Sequence, residues 1–145
     1  MKNKLKVAVV ALLSTVCLLA VCLFAGCKVD YEAIYNDDAQ IIKRNVYTSV
    51  NLTDIETSSK YSCICSKFSG VKEIKSFTVE SGSELDLALN VEAGDFKLVL
   101  TNSSNVYVLK EGSYEGALSL KEIPKGRYKL KMVGVAAEFQ LTINF

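Results

Sequence analysis

The segment KYSCICSKF (60–68) carries the two residues best suited to soft-metal or redox chemistry, Cys63 and Cys65. The segment reads as a strand, so two cysteines separated by one residue project their thiols from the same face. Alternate strand positions lie roughly 6.5–7 Å apart, outside relaxed disulfide geometry, so no bridge between them is expected. Two thiolates on one face suit copper(I) or zinc. However, the chain has no His, and Met132 is its only methionine besides Met1. A third or fourth ligand would have to be a carboxylate or another chain. The adopted reading makes both cysteines small buried hydrophobes, with no metal site and no cofactor.

Without His there is no Ser-His-Asp or Cys-His arrangement, which removes the commonest nucleophile and base pairs. No serine sits in a nucleophile context beside a lysine. Glu84 and Asp86 are two apart on a solvent-facing strand edge and read as solubilising charges rather than a glycosidase pair. Asp37-Asp38, or Glu92 with Asp95, are weighed as calcium carboxylates against plain solvation. The row Arg127, Lys129, Lys131, with Lys121 and Lys125 nearby, is weighed as a surface for anionic lipid or wall polymer. The alternative is that these outward strand positions keep a sheet soluble and discourage edge pairing. No dinucleotide fingerprint, phosphate-binding loop or EF-hand spacing occurs, so no catalytic residue is assigned and the chain is not expected to be an enzyme.

The elements that must position these groups are short and alternating. In SELDLALNV (83–91), Leu85, Leu87, Leu89 and Val91 share one face, while Glu84, Asp86 and Asn90 share the other. In GRYKLKM (126–132), Tyr128, Leu130 and Met132 point inward and Arg127, Lys129 and Lys131 toward water. In EFQLTINF (138–145) the inward set is Phe139, Leu141, Ile143 and Phe145. Period two means strands, and Gly, Asn and Ser turns at roughly 8–12 residue spacing predict about nine of them. One-sided strands must cover one another, since no long amphipathic helix is available. The fold class is therefore all-β, an antiparallel β-sandwich of jelly-roll-like form over residues 41–145. Residues 28–40 mix charges and amides without a sustained period and read as a tether or a single short helical turn.

The region 71–145 resembles the bacterial pre-peptidase C-terminal domains in its order of turns and strands. The resemblance lies in a strand, a glycine turn, GDFKLVLTN (94–102), a loop, IPKGRYKL (123–130) and the closing FQLTINF (139–145). It implies a small jelly-roll-like sandwich of a mostly non-catalytic kind, some members of which bind calcium, polysaccharide or collagen. No binding residue carries over.

The N-terminal region reads as an address. A basic head, MKNKLK, precedes 19 uncharged residues at 7–25 and then the small pair Ala25-Gly26, the order an export signal requires. Its length would also suit an uncleaved anchor helix. The tetrapeptide Phe24-Ala25-Gly26-Cys27 resembles the lipobox of bacterial lipoproteins, with Phe24 in place of the usual leucine. The resemblance implies diacylglyceryl transfer to the Cys27 thiol and cleavage before it. The signal peptide helix would then be residues 1–26, the lipidated tether 27–40 and the domain 41–145. Cys17 and Cys22 leave with the leader. Two acyl chains at Cys27 would hold the protein on a membrane, where a single chain binds only marginally.

Three of the 17 basic residues, Lys2, Lys4 and Lys6, lie in that leader, leaving 14 against 16 acidic ones. Phosphate-backbone binding scales with basic contacts, so nucleic acid is not an expected partner. The expectation is an exported protein, lipid-anchored to the outer face of the bacterial cytoplasmic membrane. Its role would be a non-catalytic binding module for a wall, polysaccharide or protein partner. The alternative is an accessory subunit of a membrane complex or a small inhibitor, meeting its neighbour through a sheet edge or through Tyr107 and Tyr114.

Overall fold

A computed structural model describes residues 29–145. The architecture is all-β and antiparallel, as the alternation requires. Among these residues two short helices, α1 (Tyr31–Tyr35) and α2 (Asp38–Lys43), precede seven strands. These are β1 (Tyr47–Val50), β2 (Thr53–Glu56), β3 (Lys60–Val79), β4 (Glu84–Thr101), β5 (Val106–Glu111), β6 (Tyr114–Ser119) and β7 (Gly126–Asn144). The main path through the sheet is β1-β3-β7-β4-β5, with β2 also on β3 and β6 also on β4.

Six of the nine expected strands are the two ends of β3, β4 and β7. The glycines that read as turns between them are bends within continuous strands. Each bend accompanies shifts of register, between Cys65 and Gly70 in β3 and between Val91 and Asp95 in β4. A bulge adds one residue and bends the strand, which flips the inward set. In β4, Leu85, Leu87 and Leu89 are buried on one side of the bend, and Phe96, Leu98 and Leu100 on the other. The bends lie level, because Gly70 pairs with Gly134 and Gly134 with Phe96. Gly94 adopts φ +71, and a Cβ there would fall against the carbonyl oxygens of Val135 and Ala136. Only glycine combines a left-handed backbone with so close an approach.

The level bends fold the sheet onto itself as a sandwich. The open half contains β2, β6 and residues 60–68, 84–91 and 138–144. The covered half contains β5 and residues 71–79, 96–101 and 126–133, and β1 runs beside the bend of β3. Inward side chains of both halves form one core. Phe96 and Phe139 meet across the bend with ring centroids 4.2 Å apart, and Phe77 faces Phe145 at 5.9 Å. Leu85, Leu87, Leu130, Met132, Phe139 and Ile143 are all buried as the alternation predicts.

A third layer lies on the outer face of the covered half. Residues 31–40, read as a tether or a single short helical turn, and 41–43, read as the start of the β domain, form this layer: Ile34, Tyr35 and Ile41 are buried against Val71, Val99 and Val133. Helices of five and six residues do not persist alone, so their ends are tied. Asp30 and Asp37 cap the N-termini, accepting from the backbone N–H of Ala33 at 3.0 Å and of Gln40 at 3.2 Å. Two strand lysines serve the C-terminal carbonyls. Lys97 Nζ donates to the Tyr35 carbonyl at 2.7 Å and lies 4.3 Å from the Tyr35 ring centre. Lys131 Nζ donates to the carbonyls of Ile41, Ile42 and Arg44 at 2.8, 2.9 and 3.0 Å. The expectation that Lys131 points to water is thereby corrected. It is 1% exposed, because its outward position lies under α2, and it finds there three acceptors that replace water.

Candidate functional site

Among the described residues nothing covers the outer face of the open half. Across it, register places Ile55, Ser62, Thr142, Ala88 and Glu115 in one row, and Thr53, Ile64, Gln140 and Asn90 in the next. Small side chains along the first row, Ser62 and Ala88 among them, leave a shallow cavity of about 290 Å³ lined also by Asn90, Gln140 and Thr142. Its polar groups are linked in short chains. The Ser62 and Thr142 hydroxyls are 3.3 Å apart, and the Asn90 and Gln140 amides donate to Glu92 at 3.3 and 3.4 Å. Asn144 donates to Asp86 at 3.0 Å.

The face is graded in character from one edge to the other. Ile55 and Ile64, 66% and 58% exposed, are diagonal neighbours on the β2 side. Hydroxyls and carboxamides occupy the centre. Glu84, Asp86, Glu92, Glu115 and Glu138 supply outward carboxylates along β4, β6 and β7. Hydroxyls and carboxamides both donate and accept, so the centre can hydrogen-bond a polymer rich in hydroxyl or amide groups.

At the edge between the two halves lies a polar cluster that sequence alternation does not disclose. Lys72 Nζ binds Asp54 Oδ2 at 2.7 Å, and the Tyr61 hydroxyl donates to the same carboxylate at 3.2 Å. The Lys72 hydrogen bond holds the Asp54 carboxyl below its ordinary value. Burial drives the Tyr61 phenol upward, and it pushes the neighbouring Cys63 thiol up to about 11. Such a thiol is protonated near neutrality and is a poor nucleophile.

The sequence-predicted residues scatter rather than converge. Cys63 and Cys65 face the core, each 1% exposed, and the Cys65 thiol points at the Val50 carbonyl at 3.5 Å. Asp37 is occupied as a helix cap, and Glu92 by the Asn90 and Gln140 amides. Among the described residues no three Cys, Asp or Glu side chains gather as a metal site would need. Tyr107 packs edge-on to Tyr128 with centroids 5.7 Å apart, and Tyr114 donates to the Ala117 carbonyl at 3.0 Å. Phe24, Ala25, Gly26 and Cys27 lie outside the described residues. The alternation marks Ser62, Asn90, Gln140 and Thr142 only as outward positions; register is what assembles them. No protein-family model and no curated protein matches the chain.

Proposed function

We propose that this chain is a bacterial surface lipoprotein, anchored on the outer face of the cytoplasmic membrane by lipid on Cys27, whose domain is a non-catalytic binding module. The observation that carries the binding role is the face around Ser62, Asn90, Gln140 and Thr142, which no described element covers and whose centre is hydroxyl and carboxamide. A glycan of the wall is the ligand class that such donors and acceptors suit. The anchor fits this orientation. Cys27 precedes α1 by only a few residues at roughly 3.5 Å each, so lipid there would hold the helix-covered side toward the membrane. The open face, on the opposite side of the sandwich, would look outward.

Two measurements test this reading. Labelled palmitate should enter the wild-type chain and not Cys27→Ser; equal labelling would remove the anchor. Detergent-solubilised full chain should be retained on insoluble wall polysaccharide, with retention falling about tenfold in the Asn90→Ala/Gln140→Ala variant, the scale of lost buried hydrogen bonds. Unchanged retention would refute the binding role of this face.

A second reading, an accessory subunit of a membrane complex or a small inhibitor, is favoured by Ile55 and Ile64. Two adjacent large apolar side chains this exposed mark protein contact more than glycan contact. In that case a stoichiometric membrane protein would co-purify, and Ile64→Lys would release it.

A further inference from the structure

The covered half carries a second recess, on the other side of the molecule from the face assigned above. Beyond the end of α2 the helical layer stops, and in the next register row Ser76 and Lys129 are exposed while Thr101 is buried. Lys129 stands between Ser76 and Thr101, with Arg127 opposite Thr78. Ile42 of the α2 end and the turn at 102–105 wall this strip into a cleft of about 530 Å³, within the range of small-ligand sites.

The donors of this cleft come from three directions. Arg127 and Lys129 rise from β7, Ser76 stands beside them on β3, and Asn102 and Ser103 overhang from the turn. Asn102 Oδ1 already accepts from the backbone N–H of Ser104 and Asn105 at 2.9 and 2.8 Å. Its side-chain NH₂ donates toward the Tyr128 hydroxyl and keeps its second N–H for a ligand. Among the described residues Arg127 makes no ion pair, while Lys129 Nζ is partly neutralised by Glu73 at 2.8 Å. One row deeper, outside the cleft lining, the Lys131 ammonium is bonded to three carbonyls, and burial lowers its pKa.

We propose that this cleft binds a phosphoryl group carrying an organic substituent. A guanidinium fork and an ammonium recognise phosphate oxygens well. Donors arriving from a floor, a side and an overhang suit a tetrahedral anion better than a planar carboxylate. The volume exceeds a bare phosphate, and Ile42 offers apolar contact to the carbon skeleton of an ester. This site is independent of the open face and of the role assigned to it.

The test uses the full chain in uncharged detergent micelles, followed by backbone amide NMR. Glycerol 3-phosphate should produce saturable shifts confined to Asn102, Ser103, Arg127 and Lys129 and their neighbours, with acetate at least tenfold weaker. Arg127→Gln should weaken binding about tenfold, the scale of one lost charge-assisted fork. Glu73→Gln, which frees Lys129, should tighten it, and Asn90→Ala should leave it unchanged. Micelles doped with phosphatidylglycerol identify the source. Saturation by the soluble ester alone marks a free ligand, whereas shifts only with doped micelles mark a lipid headgroup, and both support a phosphoryl site. No saturable shift with either probe, equal response to acetate, or an unaffected Arg127→Gln variant would overturn it.

Discussion

The two outer faces of this sandwich are built on opposite ends of the same three strands, β3, β4 and β7, and they reach different states. On the covered half, valines at 71, 99 and 133 and lysines at 97 and 131 meet two helices that would not exist without them. On the open half, the equivalent positions are Ser62, Ala88, Asn90, Gln140 and Thr142, and no described element packs on them. The difference shows how an outward lysine is read by its surroundings. Lys129 points into solvent with a carboxylate partner, whereas Lys131, two residues on and on the same face, is sealed beneath α2. Burial of a charge is tolerated only where acceptors replace its water, and a short helix end supplies several at once.

The contrast breaks most severely at Lys131. Lys131→Ala strips three carbonyls of their donor and opens a space beneath α2, so stability should fall by about 3 kcal/mol in urea denaturation. Hydrogen exchange should locate the loss, with the Ile41 and Arg44 amides exposed while the Leu141 amide in β7 stays protected. Wild-type stability in this variant would mean that the helices hold without the lysine.

A smaller effect is expected at the seam between the halves. Asp54 titrates below its ordinary value of 3.8 because Lys72 binds its ionised form. Its stabilising contribution is therefore complete above that ordinary value and disappears as pH falls through the lower folded-state value. Solvent reaches this pair, so the amount is below about 1 kcal/mol. The acid limb of the stability profile should flatten in Asp54→Asn, and an unchanged limb would remove the seam pair from the account.

The smallest effect belongs to the open face. Gln140→Ala with Thr142→Ala should shift stability by no more than about 0.5 kcal/mol, since both side chains reach solvent. A large loss would show that this face supports the fold rather than a ligand.

Period-two alternation disclosed the inward sets of 85–89, 128–132 and 139–143 residue by residue, because each run turns one side to a core. It did not disclose continuity, since a glycine at a bulge and a glycine at a hairpin interrupt the pattern alike. The change from odd inward positions in 85–89 to even ones in 96–100 was the available sign of a bend. Of the helices, the sequence offered only a single short turn as an alternative to a tether, because one turn and a half is too short for a period. Their traces were Asp30 and Asp37 as caps and the recurrence of Ile34 at Ile41. Nothing local distinguished Lys131 from Lys129, because what covers it comes from residues 90 positions away. The candidate face was legible only as scattered polar positions, since register between distant strands is a tertiary property.

The position of β7 carries one consequence for how the molecule comes into being. It is the last strand along the sequence and the middle one in space, pairing β3 from Lys60 to Val79 on one side and β4 from Asp86 to Thr101 on the other. Until its residues emerge, whether from a ribosome or through a membrane pore, β3 and β4 have no neighbour to join them. The earlier segments can form local hairpins only, and contacts of such long sequence separation form slowly. Joining β3 to β4 through the sheet therefore waits on residues 126–144 rather than proceeding by stepwise growth from β1.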